Sequence, residues 1–186
     1  LTAMLADAYR AAGIEVRTNA PVAGVSKTGD GLEVSLANDA RVACDMVVHG
    51  AGRIPDIAGL ALESAGVAYG RRGIIVDAQM RAEGNDRVFA VGDAAASGIP
   101  LTPVAIAQAR VAASAILGNT GAAFSPAVTP SVVFSSPPLA SVGTTESAAR
   151  EAGADIDVIF TDSGDWASSR RVGARVSAAK VIAESG

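Results

Sequence analysis

VFAVGDAAASGIPLTPVAIAQAR, residues Val88 to Arg110, passes from one kind of regular structure to another within a few turns of chain. VFAV is a short apolar run rich in β-branched and aromatic residues, the form of a strand covered on both faces in a parallel sheet. Gly92-Asp93 ends it. A carboxylate just beyond the C-terminal end of such a strand lies where open α/β sheets bind ligands, and it accepts hydrogen bonds from polyol hydroxyls. After a glycine-containing loop, Thr102 is placed to cap a helix, with Pro103 at its first position. The N-terminus of that helix offers N–H groups and the positive end of the helix dipole to negative charge. The helix, PVAIAQARVAASAIL, is apolar on nearly every side, interrupted only by Gln108, Arg110 and Ser114, and reads as buried.

Upstream, GLALESAGV reads as a short helical piece ended by Gly66, and GIIVDAQM as an edge-like strand leading into a loop. Nearer the start, MLADAYRAAG has apolar residues at helical spacing and a natural stop at Gly13, followed by a strand, IEVRT. VAGVS, LEVSL and ARVAC, separated by TGDG and ANDA, predict an antiparallel meander. DMVVHGAGRIPD then reads as a buried strand delivered into a turn containing Gly50, Gly52 and Arg53. Such a turn lets backbone approach a ligand, and it serves equally to redirect the chain between domains. Downstream, the Pro- and Ser-containing FSPAVTPS marks a boundary. PSVVFSSPPLASVGTTESAAREAG reads as strand, Pro-Pro turn, strand, then a helix starting near Thr144 or Thr145 and stopped by Gly153. IDVIF is a further strand, and RVGARVSAAKVIAES holds one or two more.

Taken together, VFAVGD and LTPVAIAQAR resemble the second flavin-binding motif of the pyridine nucleotide-disulfide oxidoreductases, and TPVAIA most resembles their glutathione reductase branch. GAGRIPD resembles the family's A-T-G-R-x-P-N segment, with Gly50 and Ala51 in place of Ala-Thr and Asp56 in place of Asn. Val133 to Glu146 resemble the opening of the family's dimerisation domain, which contains F-[ST]-x-P-x-[LI]-[AG]-x-V-G-x-[ST]-E. The resemblance implies an α/β protein in three parts: residues 1–56 as the end of a Rossmann-like NAD(P)-binding domain, 57–124 as the C-terminal segment of an FAD domain, and 125–186 as the start of an α+β dimerisation domain.

It further implies FAD and NAD(P)H as cofactors. Gly92 and Asp93 would meet the ribityl-phosphate part of FAD, and Leu101, Thr102 and Pro103 the flavin ring. Gly52, Arg53 and Val22, at the start of the meander, would border the nicotinamide nucleotide. The implied activity is transfer of hydride from NAD(P)H to FAD and on to a Cys-Cys disulfide and its small disulfide substrate, in a homodimer formed through 125–186. The family's first dinucleotide fingerprint, redox cysteine pair and glycine-rich NAD(P) loop would precede Leu1, and its catalytic His-x-x-x-x-Glu would follow Gly186. The chain therefore reads as an internal or C-terminal fragment that carries no catalytic residue and is inactive alone. The alternative is a non-catalytic assembly module derived from such an enzyme.

Composition bounds this reading. The chain has 186 residues, 49% of them apolar, and a net charge of −4 that is spread along the sequence. With no basic stripe it gives no support for binding nucleic acid, and no apolar run is long enough for a membrane span. Cys44 has no second cysteine to pair with, which excludes an internal disulfide and an internal redox pair and reads as a small buried residue. His49, the one histidine, has no ligand-type neighbour, so no metal site is expected. A cytoplasmic location accords with these features.

Overall fold

The computed structural model describes residues 1–119 and 121–184. They form two compact units, Leu1–Gly52 with Thr161–Ala179, and Arg53–Phe160 with the chain from Lys180 onward.

In the first unit, helix α1 spans Thr2–Ala11 and the chain leaves it through Gly13 at φ +85°. The three-stranded antiparallel meander follows as expected: β1 Val22–Thr28, β2 Gly31–Leu36 and β3 Arg41–Cys44, in the order β1-β2-β3. Its register pairs Thr28 with Gly31 and Leu32 with Cys44, and a bulge falls between Val22 and Gly24. Tight connections account for it. Asp39 adopts φ +65° in the second turn, a conformation that short polar side chains tolerate.

Two expected strands of this unit do not form. Residues 14–18 turn back onto α1, with the Ile14 N–H bonded to the Tyr9 carbonyl at 3.0 Å and Arg10 Nη2 donating to the Val16 carbonyl at 3.2 Å. The segment 45–50 forms no strand, and Met46 and Val48 are largely exposed. In both cases apolar β-forming residues lack an adjacent strand among the described residues, and a strand without a ladder partner is not stable by propensity alone. Cys44 is half-buried rather than buried.

The second unit opens with two 3-10 turns, Ala58–Leu60 and Leu62–Ala65, stopped at Gly66 with φ +67°. The minimal hairpin β4 Tyr69–Gly70 and β5 Gly73–Ile74 follows. Ile57, Leu62, Val67, Ile74, Ala82, Ala90 and Ala95 make one buried cluster, with Val76, Val88 and Ala94 packed against it. The run Val88–Val91 is extended and lines this cluster, yet it is not the central strand of a parallel sheet. Its backbone bonds instead to the segment just before it: the Ala82 N–H meets the Val88 carbonyl at 2.8 Å, and the Ala90 N–H meets the Met80 carbonyl at 3.1 Å. The chain then passes into a 3-10 turn, Gly92–Ala94, and reaches α2, Thr102–Ile116.

Helix α2 is also less covered than its composition predicts. Val104, Gln108, Ala112 and Ala115, one stripe along the helix, are buried, whereas Ile106 and Ile116 are exposed. Apolar composition indicates what a face favours, and the packing elements actually present determine what it receives.

Beyond it, β6 Ser131–Val133 and β7 Leu139–Ser141 pair antiparallel across the Pro137-Pro138 turn, with Val133 opposite Leu139. Helix α3, Glu146–Glu151, begins at Thr145 as expected. The Thr145 hydroxyl accepts from the Ala148 N–H, and the chain turns away at Gly153, φ +74°. β8 Ile156–Asp162 and β9 Ala178–Glu184 form a two-stranded sheet, with the short helix α4, Ala167–Arg171, between them in sequence.

Candidate functional site

Asp93 sits on the Gly92–Ala94 turn, which is held from two directions. On one side, Ile74 bridges Ala95 in parallel, and the Ala96 N–H donates to the Ile74 carbonyl at 2.8 Å. On the other side stands α2. Gln108 is fully buried, and its side-chain amide reaches back to the turn, where Oε1 accepts the Gly92 N–H at 2.7 Å and Nε2 donates to the Ser97 carbonyl at 2.8 Å. Gly92 has φ +64°, and a Cβ there would lie 3.2 Å from Ala105 Cβ, so turn and helix approach more closely than most residues permit. Gly98, at φ +75°, is packed in the same way against Val104 and Phe124.

The Asp93 carboxylate itself is exposed and has no hydrogen-bond or ion-pair partner among the described residues. It is a free acceptor on a turn hydrogen-bonded to both Ile74 and Gln108.

Leu101 is the N-cap of α2, with φ −130° and no side-chain capping bond. Thr102 is therefore the first helical residue rather than the cap, and Pro103 falls one position later than expected. The reason is the first helical hydrogen bond, which runs from the Ala105 N–H to the Leu101 carbonyl at 3.0 Å. With no side chain folded over it, the helix start leaves backbone donors open to another acceptor.

These features fit FAD. A free carboxylate matches ribityl hydroxyl donors, an uncapped helix start matches the electron-rich edge of the flavin, and glycine at position 92 lets α2 lie against the turn. The nicotinamide-facing candidates have a different character. Gly52 has φ +92° with open space where a Cβ would stand, Arg53 is exposed, and Val22 lies at the exposed start of β1. An open glycine turn such as that at Gly52 suits a phosphorylated nucleotide.

Gln108 is the residue that sequence reading noticed without assigning a role. Its signal was present: a lone amide on the stripe Val104–Gln108–Ala112, within a helix otherwise apolar on that face.

Other carboxyl groups are held below their ordinary range by their own neighbours. Glu15 is lowered by the hydrogen bond and charge of Arg17, Glu63 by the Tyr69 hydroxyl, and Glu146 by Lys180 and then Arg150. Among the described residues no cluster of His, Cys, Asp and Glu is arranged to hold a metal, and no helix is long and apolar enough to cross a membrane.

Comparison with known proteins places these features in a family. The family model "pyridine nucleotide-disulphide oxidoreductase" matches residues 1–109, and the model of that family's dimerisation domain matches 129–186. A 19.7 kDa uncharacterised protein from a mercuric resistance operon of Staphylococcus aureus is 37% identical over 122 residues, covering 65% of this chain and 68% of its own length. The dihydrolipoyl dehydrogenase of Bacillus subtilis is 38% identical over 147 residues, and the glutathione reductase of Burkholderia cepacia 30% over 154. These matches cover 77% and 83% of this chain but 31% and 34% of the two enzymes, so the chain spans about a third of their length. The HOCl-induced flavoprotein disulfide reductase RclA of Escherichia coli superposes with a TM-score of 0.79 at 28% identity, over 98% of this chain and 42% of that one.

Proposed function

Because this chain belongs to the pyridine nucleotide-disulphide oxidoreductases, a family that uses FAD and NAD(P)H, we propose that it is the flavin-facing and dimer-forming part of an NAD(P)H-dependent disulfide reductase. The observation that carries this reading is the free Asp93 carboxylate on a turn clamped to α2. FAD, when bound, takes up a hydride from NAD(P)H and hands the electron pair to a Cys-Cys disulfide, which with two protons becomes two thiols. Asp93 accepts hydrogen bonds from the ribityl chain, and Gly92 permits the close approach of α2. Leu101, Thr102 and Pro103 present the open helix start to the ring, so that the dipole of α2 favours added negative charge there. Gly52, Arg53 and Val22 border the nicotinamide nucleotide. Residues 1–56, 57–124 and 125–186 are the corresponding parts of the NAD(P), FAD and dimerisation domains, and the last joins two copies.

The test is NAD(P)H oxidation by the full-length protein that contains this sequence, with oxidised glutathione, lipoamide and mercuric ion each offered as acceptor. Flavin in the purified protein and turnover with at least one acceptor support the reading. Lack of flavin and indifference to all three contradict it.

A second reading is an assembly module with no redox step of its own. The match of residues 129–186 to the family's dimerisation domain favours it. A stable dimer of the 186-residue chain that ignores FAD is its expected signature in light scattering.

A further inference from the structure

Gln108 is one of two buried polar residues among those described, and both its amide oxygen and its amide nitrogen have a partner. The two bonds are complementary in kind. The oxygen takes a backbone donor at residue 92 and the nitrogen gives to a backbone acceptor at residue 97, so one side chain closes both ends of the loop that carries Asp93. A carboxylate of the same shape has no donor for Ser97, and a thioether has neither function. The neutral amide therefore satisfies both ends at once, which an ionised carboxylate cannot.

Position gives this a functional consequence. Gln108 lies on the same helix whose start faces the flavin in the proposed function, and it is buried where the Asp93 carboxylate on the loop it grips is exposed. Gln108 is thus the side chain that ties the loop carrying the carboxylate to the helix, on top of the backbone bonds that hold the turn to Ile74.

We propose that Gln108 is a positioning residue of the flavin site, fixing Asp93 relative to the start of α2 through the bonds to Gly92 and Ser97. This rests on the flavin reading above. It concerns a residue acting through another and adds no contact to FAD.

The test compares FAD affinity and the absorption spectrum of bound flavin in the full-length protein for the wild type, Gln108→Met and Leu62→Ala. Leu62 shares the core cluster with Ala95 but takes part in neither bond of the clamp, so its substitution lowers stability while leaving the bonds of Gln108 to Gly92 and Ser97 in place. Expected are folded proteins by far-UV circular dichroism, FAD affinity weakened about tenfold or more in Gln108→Met, as for loss of a buried hydrogen-bond pair, with a shifted flavin band, and near wild-type affinity and spectrum in Leu62→Ala. Gln108→Glu supplies the rescue arm. Its affinity should be weak when the side chain is ionised and should recover as the pH falls and the protonated carboxyl regains a donor for Ser97. Wild-type affinity and spectrum in Gln108→Met would overturn the positioning role alone, and equal losses in Leu62→Ala and Gln108→Met would reduce it to general stability. A wild-type protein that binds no FAD overturns the flavin reading and this role with it.

Discussion

The Gln108 side chain accepts the Gly92 N–H at 2.7 Å from within a helix whose remaining buried positions are Val104 and two alanines. Both ends of the amide are sealed from solvent, so removing it strands two backbone groups, the Gly92 N–H and the Ser97 carbonyl. Each such orphan costs roughly 1–3 kcal/mol. Gln108→Leu should therefore lower the free energy of unfolding by about 2–4 kcal/mol, as read by urea denaturation. A loss under about 0.5 kcal/mol, the scale of an ordinary surface substitution, would mean that the bonds are replaced by water.

Gly73 supports the same turn from the other side. Its φ is +117°, and a Cβ there would stand 2.4 Å from the Ala94 carbonyl oxygen. Gly73→Ala thus combines a backbone conformation reserved for glycine with a collision against the residue next to Asp93. It should cost at least about 2–3 kcal/mol and also loosen FAD. Gly70→Ala in the same hairpin, with open space at its Cβ, is the matched control and should be nearly neutral.

In the dimerisation segment, Thr145 caps α3 through a 3.3 Å bond from the Ala148 N–H. That distance is long for a cap, so Thr145→Ala should fall in the lower part of the usual range, about 0.5–1 kcal/mol. Thr145→Ser, which keeps the hydroxyl, should restore most of it in the same denaturation assay.

Glu146 ties α3 to β9 by its bond to Lys180 at 2.9 Å, and it also meets Arg150. Lys180 first, and Arg150 after it, hold this carboxyl below its ordinary value of 4.5. The unfolded chain therefore takes up the proton at a pH where the folded chain does not, so stability rises with pH through this window. The contribution is fully present above about 4.5, the ordinary carboxyl value, and is lost as pH falls through the lower folded value. Glu146→Gln should flatten that part of the curve of melting temperature against pH, and added salt should shrink the difference, as for any exposed pair. An unchanged acid limb in the variant would show that the tether does not contribute.

Where the chain's own neighbours settle the structure, the sequence was readable. The meander followed from alternation and two tight turns, and α3 from Thr145, Glu146 and Gly153, because each depends on residues only a few positions apart. VFAV, DMVV and IEVRT were read correctly as extended or apolar and wrongly as ladder strands, since a strand's partner is set by distant chain that its own residues do not specify. The same limit applies to α2: its composition asks for burial on every side, and one stripe receives it. In the candidate site, Asp93 and the helix start were legible as a motif, with the cap displaced by one residue to Leu101. The role of Gln108 was not, because a hydrogen bond to backbone sixteen residues earlier leaves no mark in local pattern. Its only trace is a polar residue where an apolar one was due.

The central claim is that FAD is held by Asp93 on the clamped turn. A titration of the full-length protein with FAD, followed by quenching of flavin fluorescence, tests it most directly. The account predicts saturable binding that weakens by about tenfold or more in Asp93→Ala and less in Asp93→Asn, which keeps one acceptor oxygen. Equal affinity in all three proteins would contradict it, and would place the flavin away from the turn.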